Sequence, residues 1–255
     1  LENNSIAMVT GASRLDGIGA AASLLLAEKG YDIFFTSWRT YDKCMPWFKS
    51  DDDPNQLKKL IEDKGVRCEW IEIDFMEAGA HTKLIDCVNE KLGSPSVLIN
   101  NATYSTSTSV ETLSEEELDR HYKVNVRATS LLTTNFITHF HGSTGGRIVN
   151  ITSGQSLGAM PDEIAYAITK SSIETLTKTL ASVAAKKGIT INAVNPGPTD
   201  TGWINKEMEQ QLLPLFPQGR IGVPSDAANL IGFLVSSEAQ WITGQILHSE
   251  GGFMR

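Results

Sequence analysis

Short apolar runs rich in β-branched residues alternate with longer helical stretches along the whole chain, and this alternation limits the possible folds more than any other feature. Strands are expected at Ile6–Val9, Ile33–Thr36, Cys68–Ile73, Val97–Asn100, Arg147–Ile151, Thr190–Val194 and Gln245–Leu247. Helices are expected near Ala20–Lys29, Pro54–Lys64, Lys83–Leu92, Ser114–Phe140, Ala165–Lys187 and Asp226–Val235. Strands separated by helices pair in parallel, and a parallel sheet is stable only when helices cover both its faces. The expectation is an α/β fold, a single doubly wound domain over residues 1–255 with a sheet of about seven strands. No repeat, low-complexity tract or linker divides it. Ser114-x-x-Glu117 has the pattern of a capping box at the start of one helix.

Composition removes several classes of function. The net charge is −8 and no long basic run occurs, so nucleic acid is not an expected partner. Cys44, Cys68 and Cys87 are odd in number and lack CxxC spacing, which suggests neither a disulfide framework nor a zinc site. His139 and His141 are two residues apart, so they do not share a helix face, and no metal site is expected. No apolar stretch approaches the roughly 20 residues of a membrane span. A basic leader followed by an apolar run is also missing, so the expected location is cytoplasmic. Two segments stand outside the alternation. Trp38–Asp53 ends in three aspartates before Pro54, read as a helix start with Asp53 as cap. Residues 203–217 mix apolar and charged side chains and are read as a possible substrate lid.

The chemistry-bearing residues form two groups. Gly11, Gly17 and Gly19 fall between the first strand and the first helix, where unobstructed backbone N–H groups can receive a pyrophosphate. Downstream, Tyr166 and Lys170 are four residues apart on one helix face, and Ser153 ends an apolar run thirteen residues before the tyrosine. A free phenol has a pKa near 10, and a neighbouring ammonium is expected to lower it. The tyrosine can then pass a proton to a carbonyl oxygen while hydride reaches the carbon. Ser153 would hydrogen-bond the same oxygen.

Together these groups resemble the short-chain dehydrogenase/reductase family over essentially the whole chain. The resemblance implies a Rossmann domain and a nicotinamide-dependent oxidoreductase. It assigns Asn125, in Val124-Asn125-Val126, to a water relay reaching Lys170, and gives Lys170 a second contact with the nicotinamide ribose. Ser13 and Ile18 join the glycine loop, Asp74 bonds adenine, and Asn101 and Ala102 approach the ribose, with Thr103 where the family has glycine. Pro196, Gly197, Thr199 and Thr201 match the segment that contacts the nicotinamide amide. Two extra residues at Leu15-Asp16 depart from the family's TGxxxGxG spacing, so the loop is expected to bulge there. No carboxylate precedes Asp42 at the end of the second strand, whereas Ser37, Arg39 and Arg14 suit a 2′-phosphate, which favours NADP(H).

Gly219-Arg220-Ile221-Gly222 and Ile242-Thr243-Gly244-Gln245 resemble the bacterial 3-oxoacyl-(acyl-carrier-protein) reductase group. The expected substrate is therefore a small carbonyl compound, carried on acyl carrier protein or coenzyme A. Sugar, polyol and steroid-like carbonyls remain open, as does a non-catalytic NADP-binding regulator. Enoyl reductases space tyrosine and lysine more widely and lack a serine like Ser153. A basic docking patch for an acidic carrier is only half present, in Lys186-Lys187. Gln155, Met160, Ile164 and Trp203 are expected to line the pocket, and Trp241 is read as structural. The resemblance implies a homotetramer or homodimer, with Gly251-Gly252 near the subunit contact.

Overall fold

The computed structural model describes residues 4–255. Seven strands form one parallel sheet: β1 (Ile6–Val9), β2 (Asp32–Ser37), β3 (Cys68–Glu72), β4 (Val97–Asn100), β5 (Gly146–Ile151), β6 (Ile189–Asn195) and β7 (Ile246–His248). Their spatial order is β3-β2-β1-β4-β5-β6-β7. The helices are α1 (Ile18–Glu28), α2 (Arg39–Asp42), α3 (Asp53–Glu62), α4 (Ala80–Lys91), α5 (Glu115–His121), α6 (Thr129–His139), α7 (Ile164–Ala185), α8 (Lys206–Leu212) and α9 (Pro224–Leu234). The doubly wound α/β architecture expected from the alternation is present, with no strand end moved by more than one residue.

Successive side chains of a strand point to opposite faces, and β1 shows the division. Ala7 and Val9 pack with Leu26 of α1, Leu57 of α3 and Ile231 of α9. Ile6 and Met8 pack on the other side with Leu84 of α4, Leu132 of α6 and Ala184 of α7. Phe34 and Phe35 of β2, both fully buried, serve one core each. Burying a side chain of this size contributes roughly 1.5–3 kcal/mol relative to exposure. β1 pairs with β2 on one side and β4 on the other, so the chain reverses its winding direction at that point. Doubly wound sheets take ligands beyond the carboxyl ends of the strands at such a point.

The expected helix over Ser114–Phe140 is continuous but not uniform. Ser114 Oγ accepts from the Glu117 amide at 3.2 Å, which forms one half of the capping box. The Glu117 carboxylate does not return to Ser114; it accepts instead from the Thr106 hydroxyl at 2.6 Å and from the Tyr104 phenol. Between α5 and α6, Tyr122–Ala128 is wound as a π-helix, a geometry that adds a residue to a turn and is frequent at functional sites. Asn125 lies at its centre. One expectation is corrected at α3. Asp53 is the first helical residue rather than the cap, and Pro54 follows it inside the first turn.

Two buried asparagines tie the sheet to its helices. Asn100, ending β4, donates to Asn150 Oδ1 of β5 at 2.8 Å and to Thr133 of α6 at 3.0 Å. Asn150 in turn donates to Thr177 of α7 at 2.9 Å. Removing the middle of this chain strands donors where water does not reach, at roughly 1–3 kcal/mol for each unsatisfied group. Asn150→Leu should therefore lower the unfolding free energy by roughly 2–4 kcal/mol in urea denaturation. A loss below about 0.5 kcal/mol would place the anchor elsewhere.

Candidate active site

The glycine loop sits at the carboxyl end of β1, clamped against the end of β4. Thr10 Oγ1 accepts from the amides of Asn101 and Ala102, each at 3.0 Å. The Asn101 amide donates to the carbonyls of Thr10 (3.0 Å) and Gly11 (2.7 Å). Gly11 has a φ of +73°, and a Cβ there would stand 2.6 Å from the Ala102 Cα. A Cβ at Gly19 would stand 2.6 Å from the Gly11 carbonyl. These glycines are required by close backbone approach. The two extra residues form a turn at Leu15-Asp16, closed by the Gly17 amide donating to the Arg14 carbonyl at 3.1 Å. The expected bulge is present. Asp53 of α3 accepts from the Leu15 amide at 3.3 Å, and Lys49 pairs with Asp16 at 2.6 Å. The 38–53 segment thus packs against the glycine loop.

The two arginines assigned to a 2′-phosphate already have carboxylate partners. Arg39 is hydrogen-bonded through its guanidinium and its backbone amide to Glu72, the last residue of β3. Arg14 lies 3.6 Å from Asp42, donates to the Thr201 carbonyl at 2.7 Å and stacks over Trp47. Ser13 accepts from the Trp38 amide at 2.9 Å and lies beside Asp42. Burial pushes the Asp42 carboxyl above its ordinary value, with Ser13 and Arg14 pulling it back. Two buried polar atoms here have no hydrogen-bond partner among the described residues: Ser37 Oγ at the end of β2 and Asp42 Oδ2. Such orphaned atoms beside a glycine loop fit a dinucleotide's ribose. Asp74 accepts from the Met76 amide at 2.7 Å and so orders the turn after β3.

Ser153, Tyr166 and Lys170, the residues expected to carry the chemistry, lie near the carboxyl end of β5 and the start of α7. Tyr166 and Lys170 lie one turn apart on α7, with the ammonium 5.5 Å from the phenol ring centroid. Lys170, 3% exposed, donates to the Ile151 carbonyl at 2.9 Å. The Ser153 side chain lies beside the Tyr166 phenol, near enough to bear on its ionisation. Burial pushes the phenol's pKa up, Glu163 at the start of α7 adds to the rise, and Ser153 opposes it. The downward shift expected from sequence is therefore reversed, because burial and the Glu163 carboxylate outweigh the opposing effect of Ser153. Burial also pulls the Lys170 pKa down to about 7.

Asn125, 1% exposed, is placed one step from this pair. Its carboxamide accepts from the Tyr104 amide (2.8 Å) and the Thr103 hydroxyl (3.1 Å). It donates to the Tyr104 carbonyl (2.9 Å) and to Thr169 (3.0 Å), the neighbour of Lys170. The side chain braces α7 rather than touching the lysine. On the far wall, Gly197 turns with a φ of +63° and its amide donates to Asn195. Thr199 bonds the carbonyls of Pro196 and Gly197.

Other assignments change. The Gln155 amide is directed to Glu174 at 2.6 Å, and the Trp203 indole donates to the Thr199 carbonyl at 2.7 Å. Within 203–217, α8 carries no buried residue, whereas Phe216 is buried against Phe253. Trp241 is 95% exposed, contrary to its structural reading. Lys187 donates to the Thr138 carbonyl at 3.0 Å, which engages one of the two cations of the half patch. Burial lifts the Cys68 thiol to about 12, so it stays protonated. No metal-binding cluster and no helix able to cross a membrane occur among the described residues.

A family model described as enoyl-(acyl carrier protein) reductase matches residues 11–254. The chain belongs to the short-chain dehydrogenase/reductase family, whose members use NAD(P)(H). It is 47% identical over 252 residues to an uncharacterized oxidoreductase, YjdA, of Bacillus subtilis, covering 98% of this chain and 97% of that one. It is 33% identical to the 3-oxoacyl-[acyl-carrier-protein] reductase FabG of Staphylococcus epidermidis, covering 98% of each. The structure of acetoin dehydrogenase YohF from Salmonella typhimurium superposes with a TM-score of 0.85 at 30% identity, covering 98% of this chain and 97% of that one. The protein is an oxidoreductase of this family.

The Lys170 shift has a consequence for stability. Its folded pKa lies below the unfolded value of 10.5, so from about pH 7 upward the unfolded chain holds a proton that the folded chain releases. Unfolding free energy then rises with pH from about 7 to about 10, where tyrosine ionisation begins to oppose it. Lys170→Met should flatten that rise in chemical denaturation of the coenzyme-free protein. An unchanged slope would show that the lysine is not desolvated.

Proposed function

We propose that the protein is an NADPH-dependent reductase of 3-oxoacyl thioesters, with the thioester carried on coenzyme A or acyl carrier protein. The observation that carries the reductive chemistry is the convergence of Ser153, Tyr166 and Lys170 on the same carboxyl-end edge of the parallel sheet as the glycine loop. The coenzyme supplies hydride to the carbonyl carbon. Tyr166 gives its phenolic proton to the carbonyl oxygen, and its raised pKa keeps that proton in place at neutral pH, as an acid in a reduction requires. Ser153 donates to the same oxygen and fixes the carbonyl's orientation. Lys170, near half-ionisation at neutral pH, can supply charge to the phenol as the proton leaves.

Gly11, Gly17 and Gly19, with Ser13 and Ile18, would hold the pyrophosphate, and Asp74, Asn101 and Ala102 the adenosine. Pro196, Gly197, Thr199 and Thr201 would flank the nicotinamide. The thioester reading is supported by the 33% identity to a 3-oxoacyl-[acyl-carrier-protein] reductase over nearly the full chain. The likeness to an acetoin dehydrogenase supports a second reading, a small hydroxyketone as substrate.

NADPH is favoured by Arg39 and by the unpartnered Ser37 hydroxyl at the end of β2. Glu72 competes with a phosphate for the Arg39 guanidinium. Arg39→Asp should shift the NADPH-to-NADH ratio of kcat/KM toward NADH by about tenfold or more, and Glu72→Gln should shift it toward NADPH. If neither variant moves the ratio, the 2′-phosphate binds elsewhere.

Loss of nicotinamide absorbance with acetoacetyl-coenzyme A, run beside acetoin and diacetyl, tests the reaction. Turnover should be fast with the thioester and fall roughly 10²–10⁴-fold in Tyr166→Phe, while NADPH still binds. Turnover confined to the small ketones would replace the thioester reading, and full activity in Tyr166→Phe would remove Tyr166 as the acid.

A further inference from the structure

We infer that Glu174 is a positioning residue for this site, holding the loop that presents Ser153 to the substrate. The inference rests on the reading that Ser153 bonds the substrate's carbonyl oxygen. Tyr166, Lys170 and Glu174 recur every four residues along α7, so a third member extends the face that bears the first two.

Glu174 is 8% exposed, and no lysine, arginine or histidine pairs with it among the described residues. Burying a carboxyl group without a cation is costly unless it is hydrogen-bonded, so packing alone would be better served by an apolar residue. The hydrogen bonds it receives come from the two flanks of Ser153. Its Oε1 atom accepts from the Gln155 amide at 2.6 Å and from the Ser156 hydroxyl at 3.0 Å. Before the serine, the Thr152 hydroxyl lies 3.3 Å from the Lys170 carbonyl and 3.5 Å from Glu174 Oε1, sharing its one proton between them.

Beyond Ser153 the chain turns, with the Leu157 amide donating to the Gly154 carbonyl at 2.9 Å. Arg255 lies against Gly154 and Gly158 on the other side of this turn. Among the described residues, the side-chain hydrogen bonds between residues 152–158 and α7 are those of Glu174 and of the Thr152 hydroxyl. A shift of the loop moves Ser153 away from the Tyr166 phenol. Small displacements of this kind are costly in an oriented site.

The test is a double-mutant cycle with Ser153→Ala, using whichever carbonyl the enzyme reduces, with coenzyme affinity followed by fluorescence. Glu174→Gln keeps the shape of the side chain but replaces one acceptor with a donor. It should lower kcat about tenfold in the enzyme that has Ser153, and less than about twofold in the Ser153→Ala background. Coenzyme affinity should stay unchanged. Equal losses in both backgrounds would overturn the inference, because Glu174 would then act independently of the serine. Should Glu174→Gln fail to fold, Ser156→Ala removes one donor and carries the same cycle with a smaller expected loss. A crystal structure of the variant supplies an arm that needs no turnover. Displacement of Ser153 Oγ from the Tyr166 phenol supports the inference, and an unmoved serine overturns it. Absence of carbonyl reduction by the parent enzyme would instead remove the proposed function and leave the structural arm to decide.

Discussion

The seating of α7 against β5 and β6 is the constraint on which the cleft depends. The helix is fixed at several depths by different chemistry: Thr177 to Asn150, Lys170 to the Ile151 carbonyl, and Thr169 to Asn125. Every one of these bonds is buried, where a satisfied polar group is far cheaper than a stranded one. The helix can neither slide nor rotate without breaking several together. The relative placement of phenol and ammonium is thus a property of the core.

The ribose end of the cleft is organised differently. Its two arginines are each matched by a carboxylate, Arg39 by Glu72 and Arg14 by Asp42. Guanidinium groups bind carboxylate and phosphate through the same planar donors, so the two anions compete for one geometry. On the proposed reading, coenzyme choice would depend on a difference between two charge-assisted interactions, and such differences are small beside either interaction alone. A family member can change its preference here without altering its fold.

The sequence carried the architecture because alternation is a local signal. Every strand and major helix appeared near its expected place, and the Leu15-Asp16 bulge was readable from spacing alone. Tyr166, Lys170 and Ser153 were brought together as their spacing implied. What could not be read were pairings between distant residues. Glu72 meets Arg39 across 33 positions, and Asp53 reaches Leu15 across 38. The sign of the Tyr166 shift also escaped, since four-residue spacing reports a shared face but not the loss of water around it. Glu174 gave a weak signal: it continued the spacing of Tyr166 and Lys170, but nothing in the sequence pointed to Gln155 and Ser156 as its partners.

The π-wound stretch between α5 and α6 acts as a phase shifter. An added residue rotates everything after it by about 100° relative to a uniform α-helix. Upstream, that leaves His121 and Glu117 facing the Tyr104 wall; downstream, Leu132 and Phe136 face the sheet. One continuous rod thereby addresses two surfaces that a uniform helix of the same length would meet out of step, with Asn125 where the two phases join. Shortening the stretch by a single residue would make the winding regular and force one of those two surfaces to give up its partner.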